Sequence, residues 1–94
     1  MLTEPLDPAQ AKALIRKILE GGTVSFSSHA LDELAADALT TVDCVNVLLG
    51  GVVEPAGWER GSWRYRVRTA RICVVVAFRS ETALAVVTAW RIEK

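Results

Sequence analysis

Two groups of residues in this chain are able to move protons and grip phosphates, and their spacing decides what they do together. His29 is the single histidine. An imidazole titrates near ~6.5, so it is the one side chain here that gives and takes a proton around neutrality without help. It follows two serines at the start of an apolar-periodic segment, and the positive end of a helix favours the neutral imidazole, which suits a base. Arg64, Arg66 and Arg68 alternate with Trp63, Tyr65 and Val67 in the stretch SWRYRVR. Successive side chains of a strand point to opposite faces, so the three guanidiniums share one face at a repeat of ~7 Å. Cations that close repel one another unless something negative lies over them, and each forks two hydrogen bonds to a phosphate. The chemistry on offer is proton transfer beside a phosphate-binding track. The plainer alternatives are a histidine that hydrogen-bonds locally and a solvated charged face whose arginines pair across strands with Glu59, Glu81 or Glu93.

The tryptophans fall close by. Trp58 and Trp63 flank a glycine-containing loop beside the arginines, and Trp90 precedes Arg91. An aromatic next to a basic groove stacks a nucleobase. Trp63 and Trp90 read as core, whereas Trp58, between Gly57 and Glu59, reads as a stacking or interface residue. Asp32, Glu33 and Asp37 read as a solvent-facing helix surface, since no metal-ligating histidines accompany them. Cys44 and Cys73 are far apart in apolar runs and read as small buried hydrophobes, not as a zinc or redox motif. Neither a metal nor a cofactor is expected.

The elements that must position these residues are legible in the hydrophobic period. Asp7 caps and Pro8 opens a helix over 8–20, with Ala11, Leu14, Ile15, Ile18 and Leu19 on one face and Gly21-Gly22 as its stop. A short strand over 23–26 leads into a second helix over 28–38, capped by Ser27 or Ser28. A third helix over 41–50 begins with Thr40 and Asp43 at capping-box spacing and carries Val42, Val45, Leu48 and Leu49 inward. From Val52 the period switches to two: strands are expected over 52–54, 62–68, 71–79 and 84–92, with 55–61 as a loop. The run ICVVVAF is apolar on both faces and belongs at the centre of a sheet. The fold class is α+β, one domain over 1–94, with N-terminal helices packed on a twisted antiparallel sheet.

The chain is 51% apolar and 23% charged with zero net charge, a globular composition. The charge is uneven: residues 1–56 sum to −5 and residues 57–94 to +5. The basic half either takes an anionic partner or pairs with the acidic half across the fold. No apolar stretch is long enough for a membrane span and the first residues lack a signal pattern, so a cytoplasmic location is expected.

The segments FSSHALDELAADALTTVDCVNVLLGGVVEP, RYRVRTARICVVVAF and ALAVVTAWR, over about residues 24–92, together resemble the bacterial family labelled domain of unknown function 4258. Its pattern is a strand entering S-x-H-A, a helix, an I/L-T/S-x-x-D-V helix, G-x-x-I/V-E, and a meander closing on V-x-T-V/A-Y/W. That family is grouped by fold with small ribonuclease toxins such as RelE and MqsR. The resemblance implies a RelE- or barnase-like toxin architecture with an RNA-facing sheet, metal-independent RNA cleavage and a cognate antitoxin. On it, His29 matches the family histidine, Arg64, Arg66 or Arg68 the basic residues of the meander, and Thr88 and Trp90 the closing strand. One departure stands out. The family's H-A-x-x-R-M-x-x-R-G-I has Glu33 and Asp37 here in place of both arginines.

Two functions follow. The first is a metal-independent endoribonuclease of a toxin–antitoxin pair, with His29, Arg64, Arg66 and Tyr65 catalytic and Arg68, Arg71, Arg91, Trp58 and Thr88 contacting RNA. The second is a non-catalytic module whose basic sheet docks an acidic protein partner.

Overall fold

In a computed structural model, which describes residues 2–92, α1 (Pro8–Gly21) starts as the sequence dictates. Asp7 accepts from the Gln10 amide at 2.8 Å, and the Gln10 side chain accepts from the Asp7 amide at 3.0 Å, a reciprocal capping box. The helix buries Ala11, Ile15 and Ile18. At its end the chain passes so close to the later turn at Thr82 that a Cβ on Gly22 would sit 2.3 Å from the Thr82 carbonyl oxygen, so only glycine fits. The remaining elements are β1 (Thr23–Phe26), α2 (Ser28–Ala36), α3 (Thr41–Gly50), β2 (Val52–Val53), β3 (Gly57–Glu59), β4 (Ser62–Arg68), β5 (Ile72–Ser80) and β6 (Ala83–Arg91).

The expected Thr40–Asp43 box opens α3. The helix is rotated relative to the sequence reading: Cys44, Val47 and Leu48 face the core, while Val42 and Leu49 are exposed. Lys12 explains part of that setting. From α1 its Nζ donates to the Leu48 and Gly51 carbonyls at 3.0 and 2.7 Å, placing a cation on the negative end of α3.

The protein is α+β, with the helices packed on one face of a mixed six-stranded sheet. Strand order is β1-β6-β5-β4-β2, with β3 paired to β4 beyond it. β4, β5 and β6 form the expected antiparallel meander, and β1 adds to β6 in parallel, Thr23 opposite Ala83 and Phe26 opposite Val86. No tight turn links β1 to β6, so hairpin geometry does not force them to run opposite ways.

The segment 55–61 is not simply a loop. β3 forms a hairpin with the start of β4, Trp58 opposite Trp63, through a two-residue turn at Arg60 and Gly61. Both turn residues are left-handed, φ 49° and 82°, the conformation whose twist matches the flanking strands. Between β2 and β3, Pro55 and Ala56 together stand opposite Tyr65 alone, a bulge at a residue that has no N–H for the ladder.

Alternation then separates the two faces. Tyr65, Val67, Val74, Val76, Phe78, Leu84, Val86 and Ala89 join the helices in one core. On the opposite, helix-free face lie Arg64, Arg66 and Arg68 of β4, Cys73, Val75 and Ala77 of β5, and Ala85, Thr88 and Trp90 of β6. β5 is buried on both faces, as its unbroken apolar run requires. No helix among the described residues is long and apolar enough to cross a membrane.

Candidate functional site

The site is built where β1 gives out. β1 pairs with β6 only as far as Val86, and α2 takes over the rest of that edge. Ser27 makes the junction: its N–H donates to the Val86 carbonyl at 3.1 Å, its Oγ donates to the Val87 carbonyl at 2.9 Å, and the same Oγ accepts from the Ala30 amide at 3.0 Å. Val87 is the extra residue of a β-bulge, since Thr88 faces Val75 and Val86 faces Val76. At the far end of α2, the Asp37 carboxylate accepts from the Arg91 amide at 2.8 Å, and the Arg91 Nε donates to the Asp37 carbonyl at 2.9 Å. Helix and strand are stitched at both ends, which fixes the first turn of α2, and His29 with it, beside Thr88.

Across the sheet, the β3–β4 hairpin supplies the second wall. Ser27, His29, Val87 and Thr88 on one side and Glu59, Arg60 and Arg64 on the other enclose a cleft of 710 Å³. The imidazole is open to solvent, its side chain 67% exposed, with Nε2 3.8 Å from the Glu33 carboxylate one turn along. Glu59 accepts from the Arg66 Nη2 at 3.0 Å, and Arg68 lies 3.6 Å from Glu54. Arg64 Nε reaches only the Ser62 hydroxyl, at 3.4 Å, and among the described residues neither Arg64 nor Arg60 has a carboxylate partner. Two of the three stripe arginines are thus neutralised, and the one that is not points into the cleft.

His29, Arg64 and Thr88, three of the residues singled out by sequence, therefore meet; Arg66 touches the site through Glu59. Others do not reach it. Tyr65, expected to be catalytic, is 0% exposed on the helix side, where its hydroxyl accepts from the Leu6 amide and donates to Glu4, each at 2.9 Å. Burial pushes its hydroxyl pKa up to about 12. Trp58, expected to contact RNA, stacks edge-on against Trp63 at 5.2 Å on the face of the hairpin away from Glu59 and Arg64. Arg91 is committed to the end of α2. Arg68 sits beside Glu54 near the β4–β5 turn, and Arg71 lies in that turn, at the far end of β4 from Arg64. Of the suggested neutralising acids, Glu59 pairs as expected, and Glu93 lies outside the described residues.

Glu59 and Arg60 are the residues sequence reasoning did not place in the site. The signal was the residue-plus-glycine pair Arg60-Gly61 between two tryptophans, a two-residue hairpin turn that carries both side chains onto the arginine face. The two acids that stand where the resembling family has arginines also find their use here. Asp37 holds Arg91, and Glu33 faces His29. Both cysteines are buried free thiols, and burial raises their pKa, that of Cys44 to about 11. No group of three or more His, Cys, Asp and Glu side chains converges among the described residues.

The cleft can therefore offer two proton-transfer groups, His29 and Glu59, on opposite walls, two uncompensated guanidiniums, and the first turn of a helix, whose free N–H groups favour an anion. No protein-family model, no curated protein and no solved structure matches the chain.

Proposed function

We propose that this protein is a metal-independent endoribonuclease of the toxin type, working in the cleft between α2 and the β3–β4 hairpin. The supporting observation is the convergence of His29, Glu59, Arg60 and Arg64 on that cleft. Cleavage by the neighbouring ribose needs a base for the 2′-hydroxyl, an acid for the leaving 5′-oxygen, and cations for the charge gathering on the phosphate. An ionised Glu59, held by Arg66, takes the 2′ proton as the 2′-oxygen bonds to phosphorus. The P–O5′ bond breaks, and His29, protonated with the Glu33 carboxylate 3.8 Å away, returns a proton to the departing oxygen, the acid's role in place of the base's role that its position at the start of the helix suggested. The products are a 2′,3′-cyclic phosphate and a free 5′-hydroxyl. Arg60 and Arg64 hold the phosphate oxygens, with Thr88 beside them. A cognate antitoxin or another acidic protein is the partner this reading implies, and its basic target is the same face.

The test is cleavage of single-stranded RNA by the purified protein and its variants. His29→Ala should slow cleavage by about a hundredfold or more with the folded structure unchanged, and Glu59→Gln should do likewise. Binding should weaken steeply as salt rises. An unchanged cleavage pattern in His29→Ala removes the imidazole from the mechanism.

One observation favours the second reading, a non-catalytic module. Arg66–Glu59 and Arg68–Glu54 give most of the face alternating charge, which suits a protein surface better than a phosphate backbone. A protein that cleaves no RNA yet binds an acidic partner with a shallow salt dependence would establish it.

A further inference from the structure

We infer that Trp90 is a stacking platform for a nucleobase next to the phosphate held in the cleft, and that the strand it accepts is single-stranded. The inference rests on the ribonuclease reading of the cleft and adds a subsite to it. The three tryptophans occupy different places. Trp63 packs against the helix-side core, and Trp58 leans on it from the outside of the hairpin. Trp90 belongs to neither group. Its strand neighbour Ala89 is 0% exposed in the core, so alternation turns Trp90 to the helix-free face, where it is half-buried opposite Cys73. Thr88, a wall of the cleft, precedes it by two residues on the same face, a displacement of about 7 Å along β6.

Cys73, Val75, Ala77 and Ala85 on this face are small and at most 6% exposed, so longer side chains of the same face lie over them, and the half-buried indole is the aromatic surface left for a base to meet. The cross-strand row through Trp90 and Cys73 ends on Arg68, and the row through Thr88 and Val75 ends on Arg66. Each of these guanidiniums is balanced by a carboxylate. A base lying here therefore meets a neutral surface, while the phosphate beside it meets the uncompensated Arg60 and Arg64. That division of labour suits a strand whose base is free to leave its neighbours. A base within a duplex is already paired and stacked, and cannot present its face to an indole on a sheet surface.

The experiment uses the full chain and a single-stranded 2′-O-methyl oligonucleotide of about ten residues, a site size within reach of such surfaces, which binds but has no 2′-hydroxyl to attack. Trp90→Ala should weaken its binding about 5- to 150-fold, the usual effect of losing one base–aromatic stack. Trp90→Phe should keep most of the affinity, Trp58→Ala should leave it unchanged, and the corresponding duplex should bind far more weakly than the single strand. In a Trp58→Phe, Trp63→Phe background, the remaining Trp90 emission should be quenched on saturation, a readout that holds even if Trp90→Ala fails to fold. A folded Trp90→Ala that binds like the wild type, or Trp90 emission untouched by bound oligonucleotide, overturns the subsite. If the wild type still cleaves RNA and His29→Ala does not, the ribonuclease reading survives that loss. A wild type that neither binds nor cleaves single strands overturns both.

Discussion

On one side of β4, Tyr65 and Val67 are wholly buried in the core beneath the helices; on the other, one residue along, Arg64 and Arg66 stand at or near an open cleft. The same seven residues thus serve two environments whose demands are opposite. The helix side is continuous hydrocarbon, and among the described residues it leaves no buried side-chain nitrogen or oxygen without a hydrogen-bond partner. The open side carries cations, some balanced and some not. Parity along the strand therefore separates what holds the fold from what the proposed function assigns to a ligand. A substitution should affect one or the other according to whether its position is odd or even.

The strongest way to press that comparison is on the helix side. Leu48→Ala removes a fully buried side chain from the core and should cost about 2–5 kcal/mol in urea unfolding, a large part of a small domain's stability. RNA cleavage per folded molecule should stay near the wild-type value.

Asp37→Ala is designed to break the separation, because this acid holds α2 against β6 and so serves both sides. It should lower stability by about 1.5–3 kcal/mol, the range for a hydrogen bond to a charged group. It should also reduce cleavage, since His29 loses its fixed position. A loss of stability with full cleavage would mean that Ser27 alone sets the imidazole.

Alkaline pH should probe the helix side selectively. Burial raises the Tyr65 hydroxyl to about 12 and the Cys44 thiol to about 11. The unfolded chain releases these protons earlier than the folded chain does, so it binds fewer protons across that window and stability falls as pH rises. The urea midpoint should drop from about pH 9 upward, and Tyr65→Phe should flatten the part of that drop above about pH 10.

The smallest effect concerns the end of α2. Ala38 is left-handed, φ 54°, where the resembling pattern has glycine, and this is why the helix stops at Ala36 and not at 38. Ala38→Gly should raise stability by up to about 1 kcal/mol, read as a shift in the thermal midpoint, with cleavage unchanged.

Much of this was legible in the sequence because it is local. Asp7-Pro8, Thr40–Asp43 and the glycine stops fixed α1 and α3, and period-two alternation fixed the meander and the shared face of the arginines. The same alternation separated Tyr65 from Arg64; what it could not tell was which face the helices would cover. The setting of α3 was missed because its apolar residues nearly encircle it, so Val42 and Leu49 looked as inward as Leu48. β3 was missed because three residues make no period and the turn has Arg where Asn or Asp usually announces a hairpin. The cleft depends on contacts that no window along the chain contains. Ser27 on Val87 and Asp37 on Arg91 join residues 60 and 54 positions apart.

Arg60 links the two faces of the story at a single backbone angle. With φ at 49° it holds a conformation that asparagine or glycine adopts with less strain, yet its guanidinium is one of the two in the cleft without a counter-charge. Heat tolerance and, under the proposed function, phosphate binding therefore compete for this residue. A redesign that optimised the hairpin for rigidity alone would exchange it first, and would take one of the two uncompensated guanidiniums out of the cleft in doing so.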